Sequence, residues 1–265
     1  MKEYKIIDAH AHIFPEKIAQ KAVRSIGEFY DIPMCKNGSS GMLLLSGKKI
    51  NVDKFLVCST ATKPEQVLSI NDFVYEECQQ NADKFIGFAT LHPNMQNPEA
   101  EIERIIERGF KGVKLHPDFQ EFNIDDEKMD RIYEKLQGKL FILMHTGDDR
   151  YDYSSPKRLA KVLNKFPDLK VIAAHFGGYM RWDEALQVYD GENIFIDTSS
   201  SLFTLQTEKA MRIIEKIAPK KVFFGTDYPM WDHEEELARF LKLPLQEDEK
   251  RDILYNNFAR EFITK

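Results

Sequence analysis

The chain has 265 residues, which at about 150 residues per domain accommodates one or two domains or one large α/β barrel. Lysine and arginine total 37 against 43 acidic residues, and the formal charge of −6 argues against a nucleic-acid-binding protein. We find no apolar run of about 18 residues, so we expect no membrane-spanning helix. The N-terminus shows no signal-peptide pattern, and we therefore expect a cytoplasmic protein.

Short apolar runs rich in β-branched and aromatic residues recur along the chain. They are continuously apolar, as expected for parallel strands buried on both faces. The sequence predicts eight such strands, at Tyr4–Asp8, Lys54–Ser59, Phe85–Thr90, Gly112–His116, Leu140–His145, Lys170–His175, Ile194–Thr198 and Val222–Thr226.

Amphipathic stretches that read as helices separate these runs. Proline in the first turn marks the start of three of them, at Pro64, Pro98 and Pro156, and apolar side chains recur at helical spacing in others. The predicted helices are Pro64–Asn81, Pro98–Arg108, Asp126–Leu136, Ser155–Phe166, Arg181–Tyr189, Thr207–Ile217, Asp232–Leu241 and Glu247–Phe262. Eight βα units predict an α/β protein with a single (β/α)8 TIM barrel over residues 1–265.

One segment, Asp31–Asn51, interrupts this alternation after the first βα unit. Its glycines and serines favour either a flexible lid over the barrel mouth or a disordered loop. The apolar run Met42–Leu45 within it would need cover, over the active site or at a subunit interface such as that of a homodimer.

Three cysteines, Cys35, Cys58 and Cys78, are odd in number and lack C-x-x-C spacing. This pattern argues against a disulfide framework and against a cysteine zinc site. We expect reduced thiols, so a metal site must be built from histidine, carboxylate and lysine side chains.

Six of the seven histidines follow predicted strands, where the active sites of such barrels lie. His10 and His12 form the sequence D-A-H-A-H at the end of the first strand. Residues two apart on a strand point to the same side, so both imidazoles can reach one metal ion.

His145 and His175 end the fifth and sixth predicted strands, and each is followed within two residues by glycine. We expect both side chains to point toward the first pair of histidines. Asp227 follows the eighth strand, which lies beside the first strand in a closed barrel. Its carboxylate could ligate the ion and accept a proton from the attacking water.

Lys114 and His116 lie two residues apart on the fourth strand, in G-V-K-L-H-P. A lysine inside a barrel needs a partner, because burying a bare charge is costly. It could pair with a substrate carboxylate or become a carbamate that bridges two metals. His116 is a candidate substrate contact or additional ligand.

The remaining candidates are supported by position alone. His92, after the third strand, is either a substrate contact or a structural residue, and Arg181, in the loop after the sixth strand, is a candidate substrate contact. Asp8, Asp197 and Ser199 could orient ligand imidazoles through hydrogen bonds.

Together, D-A-H-A-H, G-V-K-L-H-P, H-T-G, A-H-F-G-G and G-T-D-Y-P resemble the motifs of the amidohydrolase superfamily of metal-dependent TIM-barrel enzymes. The likeness is greatest to the branch that contains aminocarboxymuconate-semialdehyde decarboxylase. The resemblance implies one zinc ion on His10, His12, His145 and Asp227, with His175 as acid/base beside the metal-bound water. In binuclear branches, His175 would instead ligate a second metal with a modified Lys114.

We therefore expect an enzyme that hydrolyses a small molecule with metal-activated water. We expect the metal to be one zinc ion, and a second ion or another divalent metal are the alternatives. His175 and Asp227 would handle the proton, and Lys114, His116, His92 and Arg181 would contact the substrate. Two alternatives stay open: a nonoxidative zinc-dependent decarboxylase of a small carboxylic acid, and a catalytically silent metal-binding protein. The decarboxylases carry arginines after the first strand where this chain offers Lys36, which favours hydrolysis.

Overall fold

Eight parallel strands form one sheet in chain order. The computed structural model describes residues 4–34, 36–190 and 193–263, and each strand pairs with the next from β1 to β8. The strands are β1 (Ile6–His12), β2 (Val52–Cys58), β3 (Phe85–Thr90), β4 (Gly112–Leu115), β5 (Phe141–Met144), β6 (Val171–Ala173), β7 (Ile194–Asp197) and β8 (Val222–Phe223). All eight overlap the predicted runs, so the α/β class and the (β/α)8 barrel are confirmed.

Helices follow the strands and cover the outside of the barrel. They are α1 (Glu16–Tyr30), α2 (Ser40–Lys48), α3 (Val67–Gln80), α4 (Pro98–Glu107), α5 (Pro117–Gln120), α6 (Asp130–Leu136), α7 (Pro156–Lys165), α8 (Trp182–Val188), α9 (Thr207–Ile217), α10 (His233–Leu241), α11 (Glu247–Arg251) and α12 (Asn257–Phe262). A π-helical turn, Asp252–Asn256, joins α11 to α12, and 3-10 turns occupy Pro64–Gln66, Glu127–Met129 and Pro219–Lys221. None of the helices in the described ranges is both long enough and apolar enough to cross a membrane.

Aromatic rings fill the barrel interior at the end opposite the strand C-termini. Phe141 and Phe223 belong to the interior cluster, and Phe258 of α12 packs edge-on against Phe223 at 5.5 Å between ring centroids. Phe262, also on α12, contacts Phe141 at 4.6 Å. The C-terminal helix therefore seals the lower end of the barrel, and within the described residues the open mouth of this packed core lies at its upper end.

The connection from β1 to β2 contains two helices, α1 and α2. The second of them, α2, lies within Asp31–Asn51, where the sequence predicted a flexible insertion. From Ser40 to Lys48 the segment is helical rather than a disordered loop, with Leu43 and Gly47 buried. The cavity at the barrel mouth is covered mainly by the preceding helix, α1, and among the described residues of the predicted insertion only Met34 lines it. Cys35 lies outside the described residues.

The apolar run predicted to need cover is only partly covered. Leu43 is fully buried, whereas Met42 and Leu45 are 42% and 59% exposed. The homodimer contact therefore stays a prediction that the size of the protein in solution would test.

Backbone hydrogen bonds close the barrel between the end of β8 and β1. Asp227 N donates to His10 O at 2.8 Å, and His12 N donates to Tyr228 O at 2.7 Å. This junction brings the residues after β8 beside D-A-H-A-H, as the closed barrel predicts.

The carboxylate of Asp8 reinforces the junction. Its Oδ1 accepts hydrogen bonds from His10 N and Thr226 N, each at 3.0 Å, and its Oδ2 accepts one from Thr226 Oγ1 at 2.6 Å. His233 Nε2 lies 3.1 Å from the same Oδ2. Asp8 thus fixes the main chain of β1 and does not orient a ligand imidazole, which corrects the role suggested by its position in the sequence.

We expect Asp8→Ala to lower the free energy of unfolding by about 3 kcal/mol, because it leaves the buried N–H groups of His10 and Thr226 unpaired at about 1–3 kcal/mol each. Urea unfolding followed by circular dichroism would measure the change. Asp83→Ala, at an exposed carboxylate, is the matched control and should stay within about 0.5 kcal/mol of the parent. Equal unfolding midpoints for the two variants would contradict this role of Asp8.

Candidate active site

Three potential metal-ligand atoms converge at the barrel mouth. His10 Nε2 lies 3.3 Å from His12 Nε2 and 3.5 Å from Asp227 Oδ1. His12 Nε2 and Asp227 Oδ1 are 3.2 Å apart. Ligands about 2.1 Å from a tetrahedral ion are about 3.4 Å from one another. The triangle therefore has the edge lengths that one divalent cation requires.

The outward nitrogens of the two imidazoles are also occupied. Nδ1 of His10 lies 2.9 Å from Asp197 Oδ2 and 3.1 Å from Ser199 Oγ, and Nδ1 of His12 lies 3.7 Å from Cys58 Sγ. A proton held on each Nδ1 leaves the Nε2 lone pair free for a metal. Asp197 and Ser199 thus take the orienting positions that the sequence suggested.

Backbone conformation turns the carboxylate of Asp227 into the triangle. Its φ of 59° lies in the left-handed region, which aspartate adopts more readily than most residues. Its Oδ2 accepts a hydrogen bond from Ser200 Oγ at 2.6 Å, leaving Oδ1 toward the histidines. Although burial opposes ionisation, the neighbouring His10 and His12 hold the pKa of this carboxyl well below its usual range.

His145 and His175 form a second pair beside the triangle. His145 Nδ1 lies 3.0 Å from His175 Nε2, and the His175 ring stacks on His10 with centroids 5.3 Å apart. His175 also has a left-handed φ, 62°, and its Nδ1 lies 3.0 Å from Ser199 Oγ. Burial lowers the pKa of His175 to about 4 and that of His145 well below its usual value, so both imidazoles are neutral bases at pH 7.

Lys114 is fully buried at the base of the site, where its Nζ lies 3.1 Å from His10 Nε2. Burial lowers its pKa, which favours the neutral amine. The neutral form of an amine is the one that reacts with carbon dioxide, as the predicted carbamate requires. The structure thus keeps the predicted lysine beside the site.

Asp118 lies behind His145 and was missed by sequence reasoning. Its Oδ2 accepts a hydrogen bond from Ser154 Oγ at 2.6 Å and lies 3.5 Å from Nε2 of His145. Burial raises the pKa of Asp118 to about 7. If His145 ligates a metal through Nδ1, its Nε2–H faces this carboxylate, which then orients the ring. The sequence could have indicated Asp118 through its position two residues after His116.

A cavity of about 610 Å³ opens above these groups. Its walls are mostly apolar, and α1 supplies much of the roof through residues at helical spacing. Among the residues that line it are Phe14, Ile18, Ala22, Ile26, Phe29, Tyr30, Met34, Ile70, Phe73, Lys114, His116, Phe119 and Met230, together with His12, His145, His175 and Asp227. Phe29 and Tyr30 were also missed, although the spacing of Ile18, Ala22, Ile26 and Phe29 could have indicated one apolar face.

Two predicted substrate contacts do not line this cavity. His92 Nδ1 accepts a hydrogen bond from Asn94 N at 3.2 Å, a turn contact that favours the structural of its two suggested roles. Arg181 pairs with Asp152 at 2.8 Å and with Glu184 at 2.7 Å. Both of its ion pairs lie away from the cavity lining, so the structure does not bring Arg181 to the site.

Comparison with known proteins places the chain in one family. Residues 7–262 match the family model described as Amidohydrolase. The barrel is similar to 5-carboxyvanillate decarboxylase from Sphingomonas paucimobilis, with a TM-score of 0.73 and 17% identity over 98% of this chain and 99% of that one. It is also similar to an uncharacterized TIM-barrel protein from Bordetella bronchiseptica, with a TM-score of 0.78 and 19% identity over 97% and 98% of the two chains.

A third similar structure contains a metal. Dihydroxybenzoic acid decarboxylase from Polaromonas sp. JS666, solved with bound manganese and the inhibitor 2-nitroresorcinol, has a TM-score of 0.72 and 15% identity over 98% of this chain and 97% of that one. At these identities the three likenesses establish the fold of the chain.

The triangle predicts where metal binds. We expect His10→Ala combined with His12→Ala to abolish binding of a divalent cation, because two of its three converging atoms are lost. Metal content of the purified protein, measured by mass spectrometry, checks this. His92→Ala removes a buried histidine away from the triangle and should keep full metal content. Retention of the metal by the double variant would contradict the site.

Asp118 should act on the metal through His145. We expect Asp118→Asn to weaken metal affinity about 10- to 100-fold at pH 8, above the pKa of about 7 of this carboxyl, because the amide replaces a charged acceptor for the Nε2–H of His145. Competition with a chromophoric chelator measures the dissociation constant. Asp149→Asn, at an exposed carboxylate of the neighbouring loop, is the control. Identical dissociation constants for the two variants would remove Asp118 from the site.

Proposed function

Since the chain belongs to the amidohydrolase family, we propose that it is a divalent-metal-dependent, nonoxidative decarboxylase of a small carboxylic acid with an aromatic body. The observation that carries this proposal is the His10, His12 and Asp227 triangle at the base of a cavity of about 610 Å³ with apolar and aromatic walls. An aromatic ring fits such walls, and an acidic group on that ring would meet the triangle.

The charge of the cavity supports the same substrate class. Among its lining residues, all in the described part of the chain, Lys114 is the one lysine or arginine, and it lies beside His10. A carboxylate in this cavity therefore finds its positive partner at the metal triangle, and a second carboxylate elsewhere in the cavity would find none. This favours a substrate with one acidic centre and an otherwise apolar surface.

The two similar decarboxylases act, by their names, on carboxyvanillate and dihydroxybenzoic acid, which are aromatic acids. They support decarboxylation over the hydrolysis that the sequence favoured, because their barrels match this chain over nearly its whole length. Family membership likewise favours an enzyme over a catalytically silent metal binder.

The donor set fits a divalent cation, with two imidazoles and one carboxylate that His10 and His12 hold ionised. Although burial opposes it, Cys58 and Asp227 raise the pKa of His12 to about 9, so a cation bound there displaces a proton from that ring. When bound, such an ion supplies a Lewis acid that holds the acidic oxygens of the substrate and stabilises negative charge on them. We propose zinc or manganese: histidine and carboxylate ligands suit zinc, and the Polaromonas decarboxylase contains manganese. We propose one ion per chain, held by the triangle of His10, His12 and Asp227 with His145 as the fourth ligand through its Nδ1. A carbamate on Lys114 with a second ion on His145 and His175 is the binuclear alternative.

In the proposed reaction the bond between the ring carbon and the carboxyl carbon breaks, and its electron pair stays on the ring carbon. That carbon takes up one proton, so a carboxylate and a proton yield the arene and carbon dioxide. His175 and Asp227 are the lining groups at which this proton would be held. Their left-handed backbones, the hydrogen bond of His175 Nδ1 to Ser199 Oγ and the one from Ser200 Oγ to Asp227 fix where His175 Nε2 and Asp227 Oδ1 point.

Decarboxylation can be tested directly. We expect the protein, reconstituted with manganese or zinc, to release carbon dioxide from 2,6-dihydroxybenzoate or a related hydroxybenzoate. In deuterium oxide, one deuterium should appear on the carbon that lost the carboxyl group. We expect Asp227→Asn to lower the rate by about 10²- to 10⁴-fold, because the amide loses the basicity of the carboxylate. Asp149→Asn is the control.

Rates and metal content must be measured on the same preparations, since Asp227 is also a proposed ligand. Turnover of an ester or amide panel without release of carbon dioxide would support hydrolysis instead. An Asp227→Asn protein with full metal and parental rate would contradict the role given to this carboxylate.

A further inference from the structure

The hydroxyl of Tyr30 enters the cavity from the last turn of α1. Its Oη lies 2.9 Å from Nε2 of His116. Within residues 4–34, 36–190 and 193–263, this nitrogen is the one hydrogen-bond partner of the hydroxyl. Neither Tyr30 nor His116 belongs to the proposed metal ligands, so metal binding does not explain this contact.

The proton arrangement of the contact follows from the other side of the His116 ring. Nδ1 of His116 accepts a hydrogen bond from Phe119 N at 3.3 Å, so Nδ1 carries the lone pair. A ring whose Nδ1 accepts a hydrogen bond carries its proton on Nε2. Nε2–H therefore donates to Tyr30 Oη, and the O–H of Tyr30 is left free to donate elsewhere.

Ring contacts hold Tyr30 in place. Its ring packs edge-on against Tyr179 at 5.8 Å between centroids, and it lies 5.9 Å from Phe119. The Arg150 guanidinium lies 5.1 Å from the Tyr30 ring centroid and also donates to the Phe29 carbonyl in the last turn of α1. The hydroxyl is thus a positioned donor on a helix end that Arg150 ties to the barrel.

The free O–H lies next to the proposed metal ligands. His116 stacks on His145 with centroids 3.9 Å apart and planes at 10°, and the Tyr30 ring lies 6.3 Å from that of His145. The ligand atoms of His116, Asp118 and His145 lie close enough together to hold a cation. The Nδ1 lone pair of His116 already accepts from Phe119 N, however, which argues against a metal on this ring.

We propose that Tyr30 is a substrate-binding residue whose O–H donates a hydrogen bond to an anionic oxygen attached to the aromatic ring of the substrate, with His116 Nε2–H directing that donor. The substrate class rests on the proposed function. Burial raises the pKa of Tyr30 well above its usual value, so the hydroxyl keeps its proton in neutral solution.

Tyr30→Phe tests this donor because it removes one oxygen and keeps the ring. The probe is 2-nitroresorcinol, the inhibitor bound in the Polaromonas structure, titrated calorimetrically into manganese-loaded protein. We expect about 10- to 100-fold weaker binding, as for a lost hydrogen bond to a charged oxygen. Tyr151→Phe is the matched control, since Tyr151 stacks on Phe29 without lining the cavity, and should change binding less than twofold.

The metal content of each variant distinguishes a loss of probe binding from a disruption of the metal site. Tyr30→Phe should hold as much manganese as the parent, because Tyr30 touches the ligand His145 only through ring packing. Affinities for the probe that agree within twofold between Tyr30→Phe and Tyr151→Phe would overturn the proposal. A parent protein that does not bind 2-nitroresorcinol would overturn it as well.

The failure of the proposed function gives a different result. If no hydroxybenzoate releases carbon dioxide but Tyr30→Phe still weakens binding of the probe, decarboxylation is wrong and the role of Tyr30 stands. If carbon dioxide is released and the two tyrosine variants bind the probe alike, decarboxylation stands and the role of Tyr30 is wrong.

Discussion

Hydrogen bonds between the end of β8 and β1 hold the centre of this protein together. Asp227 N donates to His10 O and His12 N donates to Tyr228 O, so the carboxylate and both imidazoles share one rigid junction. The three ligand atoms come from segments more than 200 positions apart in the chain. They converge only when the barrel closes, and metal binding should therefore be coupled to folding.

The surroundings of the junction decide which atoms are free to act. Asp197 occupies the outward nitrogen of His10, and Ser199 contacts the outward nitrogens of both His10 and His175. Burial keeps His145 and His175 neutral, so they offer lone pairs and do not repel a cation. Apolar walls above them exclude water, which strengthens every charge interaction at the metal triangle.

The sequence predicted the strands and the strand-end ligands because both depend on local signals. Continuous apolar runs mark buried parallel strands, and the barrel rule places the residues that follow them, such as His10 and Asp227, at one mouth. Asp118 and Tyr30 could not be found this way. Tyr30 meets His116 across 86 positions, and Asp118 of α5 meets His145, which follows the next strand, so their importance depends on tertiary packing.

The position of α1 has a physical origin in the helix that follows it. Gly47 of α2 approaches Phe55 of β2 so closely that a Cβ atom would lie 2.3 Å from the phenyl ring, and Ser46 Oγ lies 2.8 Å from His233 Nδ1 at the start of α10. α2 thereby occupies the outer site beside β2 that a barrel helix normally takes. α1 lies instead over the mouth above the metal triangle, where its residues Ile18, Ala22, Ile26 and Phe29 line the cavity. The long connection between β1 and β2 thus supplies both the apolar roof of the cavity and Tyr30.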